Sequence, residues 1–435
     1  MSRIAGLDFG TTNSALALID GDARRPRLAS FRGATGESPT FRSVLYFSPE
    51  QIESHHRPHP ICGPRAIDRY LTEDDGTGRL IQSMKTWLGS RLFTQTLIGR
   101  RETFSIEALI GHLLTDLRAE AEAQLGPLGR RIVVGRPVHL SQPADPERDE
   151  VGMDRLRTAL AAAGFDEITF VFEPVAAAYH YEQRLDRDEV VLIADFGGGT
   201  SDFSLIRVGP EAARRRRAEG EPEILGAAGV PLAGNAFDSR IVQHLVAPHL
   251  GLGSHYRTPF GRQMEIPPSI FKLRWHELSM LRTRDTLEGI RQYRASALEP
   301  QKLAAFEALV EFDLGYQLYR AVEQAKVALS ERTSATFCFQ EVDIDIKAQV
   351  DRADFEAWIE PELASLERCV DDLFERAGLP FSLVDRVFLT GGSSFIPAVR
   401  QIFARRFGAD RLRTGEELTS VASGLALVAA DRARA

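Results

Sequence analysis

Apolar residues follow two spacings along this chain of 435 residues, and the spacings alternate from segment to segment. Short apolar runs bounded by glycine, proline or polar residues predict strands, and apolar side chains at every third or fourth position predict helices. The predicted strands cover 3–8, 14–20, 27–31, 43–48, 131–135, 168–172, 202–208, 223–229, 335–340 and 342–347. The predicted helices cover 61–70, 79–88, 105–125, 147–163, 236–249, 302–331, 351–377 and 419–433. This mixture predicts an α/β protein.

One motif occurs twice. Residues 4–14 read IAGLDFGTTNS and residues 191–202 read VLIADFGGGTSD, and each is an apolar run, an aspartate and a turn rich in glycine and threonine. The strand–helix pattern therefore begins, runs through half of the chain and begins again. We interpret this restart as a duplication, which predicts two α/β lobes with a cleft between them.

The repeated turn has the composition of a phosphate site. Glycine lets backbone N–H groups approach a phosphate closely, and Asp8 or Asp195 can hold a hydrated Mg²⁺ ion, which prefers oxygen ligands. Two such turns could grip a triphosphate from both sides, although ordinary β-turns are the alternative. A P-loop is excluded because the chain has no Gly-Lys pair, and a protein kinase is excluded because it has no His-Arg-Asp loop.

Composition narrows the range of partners. The net charge is −8, which gives no electrostatic footprint for nucleic acid, and no apolar run approaches the length of a membrane span. The cysteines (Cys62, Cys338 and Cys369) show neither metal-ligand spacing nor a disulfide framework. The first residues lead directly into a predicted strand, so we expect no signal peptide and a cytoplasmic location. The basic run 214–217 predicts a solvated loop.

Three other segments carry candidate chemistry. Glu173 stands at a predicted strand-to-helix corner, where it could reach a cleft or only cap the helix. One face of a predicted helix carries Glu323, Lys326 and Ser330. The alternative is an ordinary surface salt bridge, which is common at this spacing. The Gly-Gly turn at 391–392 follows a strand and could take the base and ribose of a nucleotide.

Together these motifs resemble those of the actin-like ATPase superfamily, and most closely the DnaK-type heat-shock chaperones. Asp8-Phe-Gly-Thr-Thr-Asn-Ser and Asp195-Phe-Gly-Gly-Gly-Thr-Ser-Asp resemble the two phosphate loops. Glu173-Pro-Val-Ala-Ala-Ala resembles the first connecting helix, and Thr390-Gly-Gly-Ser resembles the adenosine motif. Leu232-Ala-Gly-Asn-Ala-Phe-Asp and Met84-Lys-Thr-Trp-Leu-Gly are similar to two further family segments, the second of which carries the catalytic lysine.

The resemblance implies a role for each matching position. Asp8 and Asp195 would hold Mg²⁺ through waters, Lys85 would polarise the attacking water, and Glu173 would take its proton. Asp195 and Thr200 would also act in the reaction. The positions that would bind ATP or ADP are Gly10, Thr11, Thr12, Asn13, Gly197, Gly198, Gly199, Thr200, Asp202, Gly234, Glu323, Lys326, Ser330, Gly391, Gly392, Ser393 and Phe395. The family often places arginines where this chain has Val327 and Phe395, which predicts weaker nucleotide binding.

The implied fold is the duplicated actin-like ATPase fold, with two lobes around a nucleotide cleft. Lobe I would comprise 1–188 and 414–435, with a subdomain inserted at about 33–108. Lobe II would comprise 189–413, with a subdomain inserted at about 233–345. Since the resemblance covers only the nucleotide domain of the family, we expect no peptide-binding domain, as in the short YegD-type members.

Three functions follow from these residues. The first is a DnaK-like ATPase, slow and Mg²⁺-dependent, that acts as a nucleotide switch toward a client or partner protein. The second is a small-molecule kinase on the same fold, and the third is an actin-like scaffold or filament protein. The segment around Lys85 favours the first, because both alternatives lack an equivalent lysine.

Overall fold

The computed structural model describes residues 4–19, 26–33, 36–53, 57–73, 78–91, 94–98, 102–138, 140, 145–182, 184–219, 223–278, 281–413 and 420–434. Within these ranges the chain forms two compact units. Unit 1 comprises residues 1–231, 366–394 and 401–435, and unit 2 comprises residues 232–365 and 395–400. The predicted lobes and inserted subdomains follow other boundaries and stay predictions.

Strands and helices alternate along the described chain, as the apolar spacing predicts. The strands are β1 Ala5–Phe9, β2 Asn13–Leu18, β3 Arg27–Leu28, β4 Phe31–Gly33, β5 Gly36–Ser38, β6 Phe41–Arg42, β7 Val44–Phe47, β8 Ile61–Cys62, β9 Arg79–Gln82, β10 Gln95–Ile98, β11 Glu102–Ser105, β12 Arg131–Arg136, β13 Glu167–Phe172, β14 Glu189–Phe196, β15 Ser201–Val208, β16 Ile224–Val230, β17 His255–Arg257, β18 Gln263–Glu265, β19 Ser334–Glu341, β20 Ile344–Asp351, β21 Arg386–Thr390 and β22 Leu412–Arg413. The helices are α1 Pro49–Glu53, α2 Pro64–Thr72, α3 Ile106–Leu125, α4 Pro146–Ala162, α5 Glu173–Glu182, α6 Pro210–Glu219, α7 Gly234–Ile241, α8 Trp275–Leu278, α9 Arg284–Ser296, α10 Pro300–Glu311, α11 Gly315–Glu331, α12 Arg352–Trp358, α13 Glu360–Ala377, α14 Pro397–Phe407 and α15 Ser420–Arg434. Among these helices, none is both long enough and apolar enough to cross a bilayer.

Two sheets of unit 1 repeat one topology. The first has the order β3-β2-β1-β12-β13, and the second has the order β16-β15-β14-β21-β22. In each sheet three antiparallel strands are followed by two parallel ones: β1 pairs with β2 antiparallel and with β12 parallel, and β14 pairs in the same way with β15 and β21. The strand that carries the motif aspartate is the central strand in both sheets. The predicted duplication is therefore visible in the strand order.

The core of unit 1 forms where the first sheet meets α3 and α4. Its fully buried residues include Leu7 and Phe9 from β1, Leu113 from α3 and Leu160 from α4. These apolar positions match the strand and helix spacing of the sequence, so burial of one face of each element accounts for the packing. Because Phe9 is adjacent to Asp8, the core holds the end of β1 in place.

Helix α15 contacts α5 closely at Gly424. A Cβ atom on Gly424 would lie 1.8 Å from the carbonyl oxygen of Ala176, a backbone atom that cannot rotate away. Forcing extra atoms into a packed region typically costs about 1–3 kcal/mol. We expect Gly424→Ala to lower the free energy of unfolding by about 3 kcal/mol, at the upper end of that range.

The matched control is Gly289→Ala on α9, where the added Cβ would meet nothing within 4 Å apart from the neighbouring backbone of its own helix. Alanine favours a helix over glycine by up to about 1 kcal/mol, so this variant should be as stable as the parent or more stable. Scanning calorimetry compares the two. Equal melting temperatures in both variants would contradict the close helix contact.

Unit 2 consists mainly of helices with two hairpins. The β19–β20 hairpin packs against α11, and residues such as Phe306, Val322 and Phe337 are fully buried. Helix α7 continues into a π-helical segment, Val242–Val246. Residues 251–300, which the sequence predicts to be helices joined by irregular loops, contain α8, α9 and the short β17–β18 hairpin.

Several predicted helices differ in extent from the observed ones; the predicted helix 351–377, for example, is divided at Ile359 into α12 and α13. The predicted helix 79–88 is strand β9 followed by a 3₁₀ turn, Met84–Trp87, because Ser83 adopts a φ of 58° and reverses the chain. The predicted helix 302–331 is two helices, α10 and α11, separated where Asp313 has a φ of 51°. Left-handed residues end a helix, and apolar spacing does not reveal them.

The basic run 214–217 was predicted as a loop, and the structure corrects this. These arginines lie in α6. The Arg216 guanidinium pairs with the buried carboxylate of Glu182, and Arg215 pairs with Asp188 and Glu223. Partners distant in sequence therefore neutralise part of the run and allow it to form a helix.

Candidate functional site

The first repeated turn joins β1 to β2 and contains Gly10, Thr11 and Thr12. It is fastened from a neighbouring segment, because the Ser43 hydroxyl donates to the carbonyl of Gly10 (2.8 Å) and the Ser43 N–H donates to the carbonyl of Thr12 (2.9 Å). Arg42 donates to the side-chain oxygen of Asn13 at 3.2 Å. These two fastening residues were not predicted, since nothing in the local sequence marks them.

The second repeated turn joins β14 to β15. The N–H of Gly197 donates to the carbonyl of Thr200 (2.9 Å), and the Thr200 hydroxyl donates to a carboxylate oxygen of Asp202 (2.9 Å). Gly198, Gly199 and Thr200 are half-buried, and Gly197 is exposed. Hydrogen bonds within the turn fix its shape, while part of its surface remains accessible to solvent. This combination suits a loop that binds an anion.

Both turns bring their aspartates to one cluster of charged groups in unit 1. Burial, and then repulsion from Glu173, raise the pKa of Asp8 to about 7, and the Lys85 ammonium opposes this rise. Burial, and then repulsion from Glu173, also raise the pKa of Asp195. Burial, and then repulsion from Asp195, raise the pKa of Asp202 to about 7. Carboxylates perturb one another in this way only at short range, so the predicted catalytic and metal-binding residues lie together.

The cluster has one strong ion pair. The Lys85 Nζ lies 2.9 Å from Oε1 of Glu173, and both side chains are almost buried. Burial alone would lower the pKa of Lys85, but the nearby carboxylates of Glu173 and Asp8 outweigh burial and raise it. The ammonium therefore stays charged. Four carboxylates against one ammonium leave an excess of negative charge, which a cation would relieve.

The third turn, at 391–392, meets the second at the end of β14. The Thr390 hydroxyl donates to Oδ1 of Asp195 at 2.7 Å. Gly391 has a φ of 81°, and a Cβ there would lie 2.0 Å from the carbonyl oxygen of Phe196. Only glycine fits this contact. Ser393 is buried and Gly392 is exposed. Thr390, for which no role was predicted, orients Asp195.

Unit 2 contains the remaining predicted nucleotide residues. Lys326 pairs with Asp238 at 2.7 Å, so its ammonium already has an anionic partner. Ser330 donates its hydroxyl to the carbonyl of Lys326 in its own helix, at 2.9 Å. Gly234 is buried at the start of α7, and Glu323 is exposed on α11. Asp238 ends the predicted Phe-Asp motif, and its pairing with Lys326 was not predicted.

The two positions predicted to weaken nucleotide binding are both exposed. Val327 is 52% exposed and Phe395 is 50% exposed. Val327 lies on α11 with Glu323, and they belong to one shallow depression of about 440 Å³ on that helix. An aliphatic side chain here offers no charge to a ligand. The expectation of weaker nucleotide binding stays a prediction.

The donor set fits Mg²⁺ through waters rather than directly. Across the described ranges, no three histidine, cysteine, aspartate or glutamate side chains converge as direct metal ligation requires. Mg²⁺ loses its waters reluctantly and is commonly held by one or two carboxylates together with substrate phosphates. The carboxylates of Asp8 and Asp195, partly exposed at the ends of their strands, suit that mode of binding.

Stability without metal is expected to fall as pH rises. The folded protein binds protons more tightly than the unfolded chain at Asp8 and Asp202, because both have pKa values of about 7 against 3.8 for a free side chain. Between about pH 4 and pH 7 the folded state therefore holds more protons, and its advantage is lost as they dissociate. Scanning calorimetry in EDTA should show a melting temperature that decreases over this range.

Mg²⁺ with ATP should reverse this trend, because metal binding requires ionised carboxylates. The increase in melting temperature caused by Mg-ATP should be larger at about pH 8 than at about pH 6. An increase that is constant over this range would show that Asp8 and Asp202 do not titrate in the site.

Comparison with known families gives a match that covers two segments of the chain. The family model described as Hsp70 protein matches residues 86–250 and 312–431 of this chain. These segments contain Glu173, Asp195, Lys326 and the turn at 391–392, and the first begins one residue after Lys85. The two segments together make up about two thirds of the chain.

Proposed function

The chain belongs to the Hsp70 family, which implies ATP binding of the chaperone type, and we propose that it also hydrolyses ATP slowly with Mg²⁺ and acts as a nucleotide-driven switch. The observation that carries this proposal is the cluster of Asp8, Asp195, Glu173 and Lys85. Burial and repulsion between carboxylates raise the pKa values of Asp8 and Asp195, a combination common at functional sites. Asp8 and Asp195 would hold Mg²⁺ through waters, and its positive charge would offset that repulsion.

Both turns have the same task in this proposal. The first turn, with Thr11 and Thr12, and the second, with Gly198, Gly199 and Thr200, would donate N–H and hydroxyl groups to phosphate oxygens. Asp8 and Asp195 would accept hydrogen bonds from metal-bound waters. Mg²⁺, when bound, would neutralise charge on the phosphates. Phosphoryl transfer mainly needs such positioning and neutralisation.

Lys85 and Glu173 form the reactive pair of the proposal. The Lys85 ammonium would orient the attacking water and stabilise charge on the γ-phosphate. Glu173, held 2.9 Å from Lys85, would accept the proton of that water. Asp202 would orient the Thr200 hydroxyl, because its carboxylate accepts a hydrogen bond from that hydroxyl.

The nucleoside contacts are proposed from the resemblance. In unit 1 these are Gly391, Gly392 and Ser393. In unit 2, the Lys326 ammonium is already paired with Asp238 at 2.7 Å. A partner or client protein would read the nucleotide state, and we propose neither nucleic acid nor membrane as a partner.

The experiment that tests this function is a phosphate-release assay with Mg-ATP and no added acceptor. We expect slow release that EDTA abolishes. Strong stimulation by a sugar or a carboxylic acid, with a phosphorylated product detected by mass spectrometry, would favour the small-molecule kinase. Sedimentation that shows nucleotide-dependent polymers would favour the scaffold protein.

A further inference from the structure

Arg155 of α4 holds the backbone of the segment that follows Lys85. One guanidinium nitrogen, Nη1, donates to the carbonyls of Leu88 (2.8 Å) and Ser90 (2.8 Å), and more weakly to that of Trp87 (3.4 Å). Only 12% of the Arg155 side chain is exposed. An almost buried cation that meets several carbonyls of one short segment restrains that segment strongly.

Two further contacts fix the same segment to the helices. The Arg155 Nε lies 3.5 Å from a carboxylate oxygen of Glu107 on α3, which orients the guanidinium. Arg148, two turns earlier on α4, donates its Nε to the carbonyl of Gly89 at 3.0 Å. The carbonyls of four consecutive residues, 87–90, therefore accept hydrogen bonds from α4.

This restraint reaches Lys85 through one tight turn. The N–H of Leu88 donates to the carbonyl of Lys85 at 3.2 Å, and the N–H of Thr86 donates to the carbonyl of Ser83 at 3.1 Å. Met84, next to Lys85, is buried in the core. The residue before the turn is left-handed, so the turn has little freedom to move along the chain. The position of the Lys85 backbone is thus set by α4.

We propose that Arg155 is a positioning residue for the Lys85 ammonium. It contacts no reacting group and acts only by holding the segment 87–90. The proposal rests on the function proposed above for Lys85. A displacement of about 1 Å at a reacting group can lower a rate about 100-fold, so a small shift of the turn is enough to matter.

The kinetic test compares Arg155→Met with Arg157→Met. Arg157 lies on the same helix but is exposed and stacks over the ring of Phe170, so it is a matched control. We expect Arg155→Met to lower kcat for ATP hydrolysis about 10- to 100-fold with KM changed by less than about twofold. Arg155→Lys should recover part of kcat, since an ammonium can still donate to the carbonyls.

A double variant separates positioning from a general loss of stability. If Arg155 acts through Lys85, Arg155→Met should lower kcat little in a Lys85→Ala background, because the two residues act as a unit. An equal loss in both backgrounds would overturn the proposal. So would parent-like kinetics in a folded Arg155→Met protein.

A second readout does not depend on hydrolysis. The chain has five lysines, and acetylation by acetic anhydride followed by mass spectrometry reports each of them. Exposed Lys347 is the internal reference for Lys85. We expect Lys85 acetylation relative to Lys347 to rise severalfold in Arg155→Met and to stay at the parent level in Arg157→Met. If the parent does not hydrolyse ATP, the proposed function fails, and this ratio still decides the positioning role: an unchanged ratio in Arg155→Met overturns it.

Discussion

Replacing Lys85 by alanine is expected to lower kcat for ATP hydrolysis by about 100- to 1,000-fold, with a much smaller change in ATP affinity. The ammonium lies 2.9 Å from Glu173 and only 13% of the side chain is exposed, so it acts where water screens charge weakly. Charge on the transferred phosphoryl group and the attacking water grows in the transition state. Lys85 should therefore stabilise the transition state more than bound ATP.

Single-turnover phosphate release measures this effect separately from nucleotide release. The matched control is Lys347→Ala, because Lys347 is exposed on β20 in unit 2. Its kcat should equal that of the parent. If Lys85→Ala lost ATP binding and hydrolysis in the same proportion, Lys85 would be a binding residue, and the proposed reactive pair would be wrong.

Replacing Asp195 by asparagine is expected to raise the stability of the protein without metal and to lower its affinity for Mg²⁺. Asparagine keeps an oxygen that can accept the hydrogen bond from Thr390, so the local structure should survive. Removing a partly buried carboxylate whose pKa is raised should stabilise the protein without metal. The same change removes a partner of the metal-bound waters, and such changes typically cost about 10- to 100-fold in metal affinity.

Melting temperatures with and without Mg-ATP show both effects in one series. Asp195→Asn and Asp8→Asn should each melt higher than the parent in EDTA and gain less from Mg-ATP. Asp354→Asn, at an exposed carboxylate on α12, should behave like the parent in both conditions. Variants that lost stability in EDTA and kept the full Mg-ATP gain would place the metal elsewhere.

The parts of the site that the sequence predicts are those encoded by consecutive residues. Each phosphate turn combines a strand, an aspartate and glycines within about a dozen positions, so its chemistry can be read locally. The repeat of the motif predicted the duplication, whereas the strand order β3-β2-β1-β12-β13 and its repeat were seen only in the structure. Glu173 was placed correctly at a strand-to-helix corner, because β13 ends at Phe172 and α5 begins at Glu173.

The parts that could not be predicted depend on residues far apart in sequence. Arg155 lies 65 or more positions from the carbonyls that it holds, and Asp238 lies far from Lys326 in the chain. The basic run 214–217 looked solvated because its partner Glu182 belongs to another helix. The turn that contains Lys85 was predicted to be helical, because apolar spacing does not reveal that Ser83 adopts a left-handed conformation. These pairings are set by tertiary packing, which local patterns do not contain.

Calorimetric titration of ATP into the protein, once with Mg²⁺ and once with EDTA, tests most directly whether the Asp8 and Asp195 turns form a Mg²⁺-dependent nucleotide site. We predict one binding site per chain with Mg²⁺, binding at least about tenfold weaker with EDTA, and a Mg²⁺ effect that largely disappears in Asp8→Asn and Asp195→Asn. Affinity that is the same with and without Mg²⁺, or a Mg²⁺ effect that both variants retain in full, would contradict this prediction.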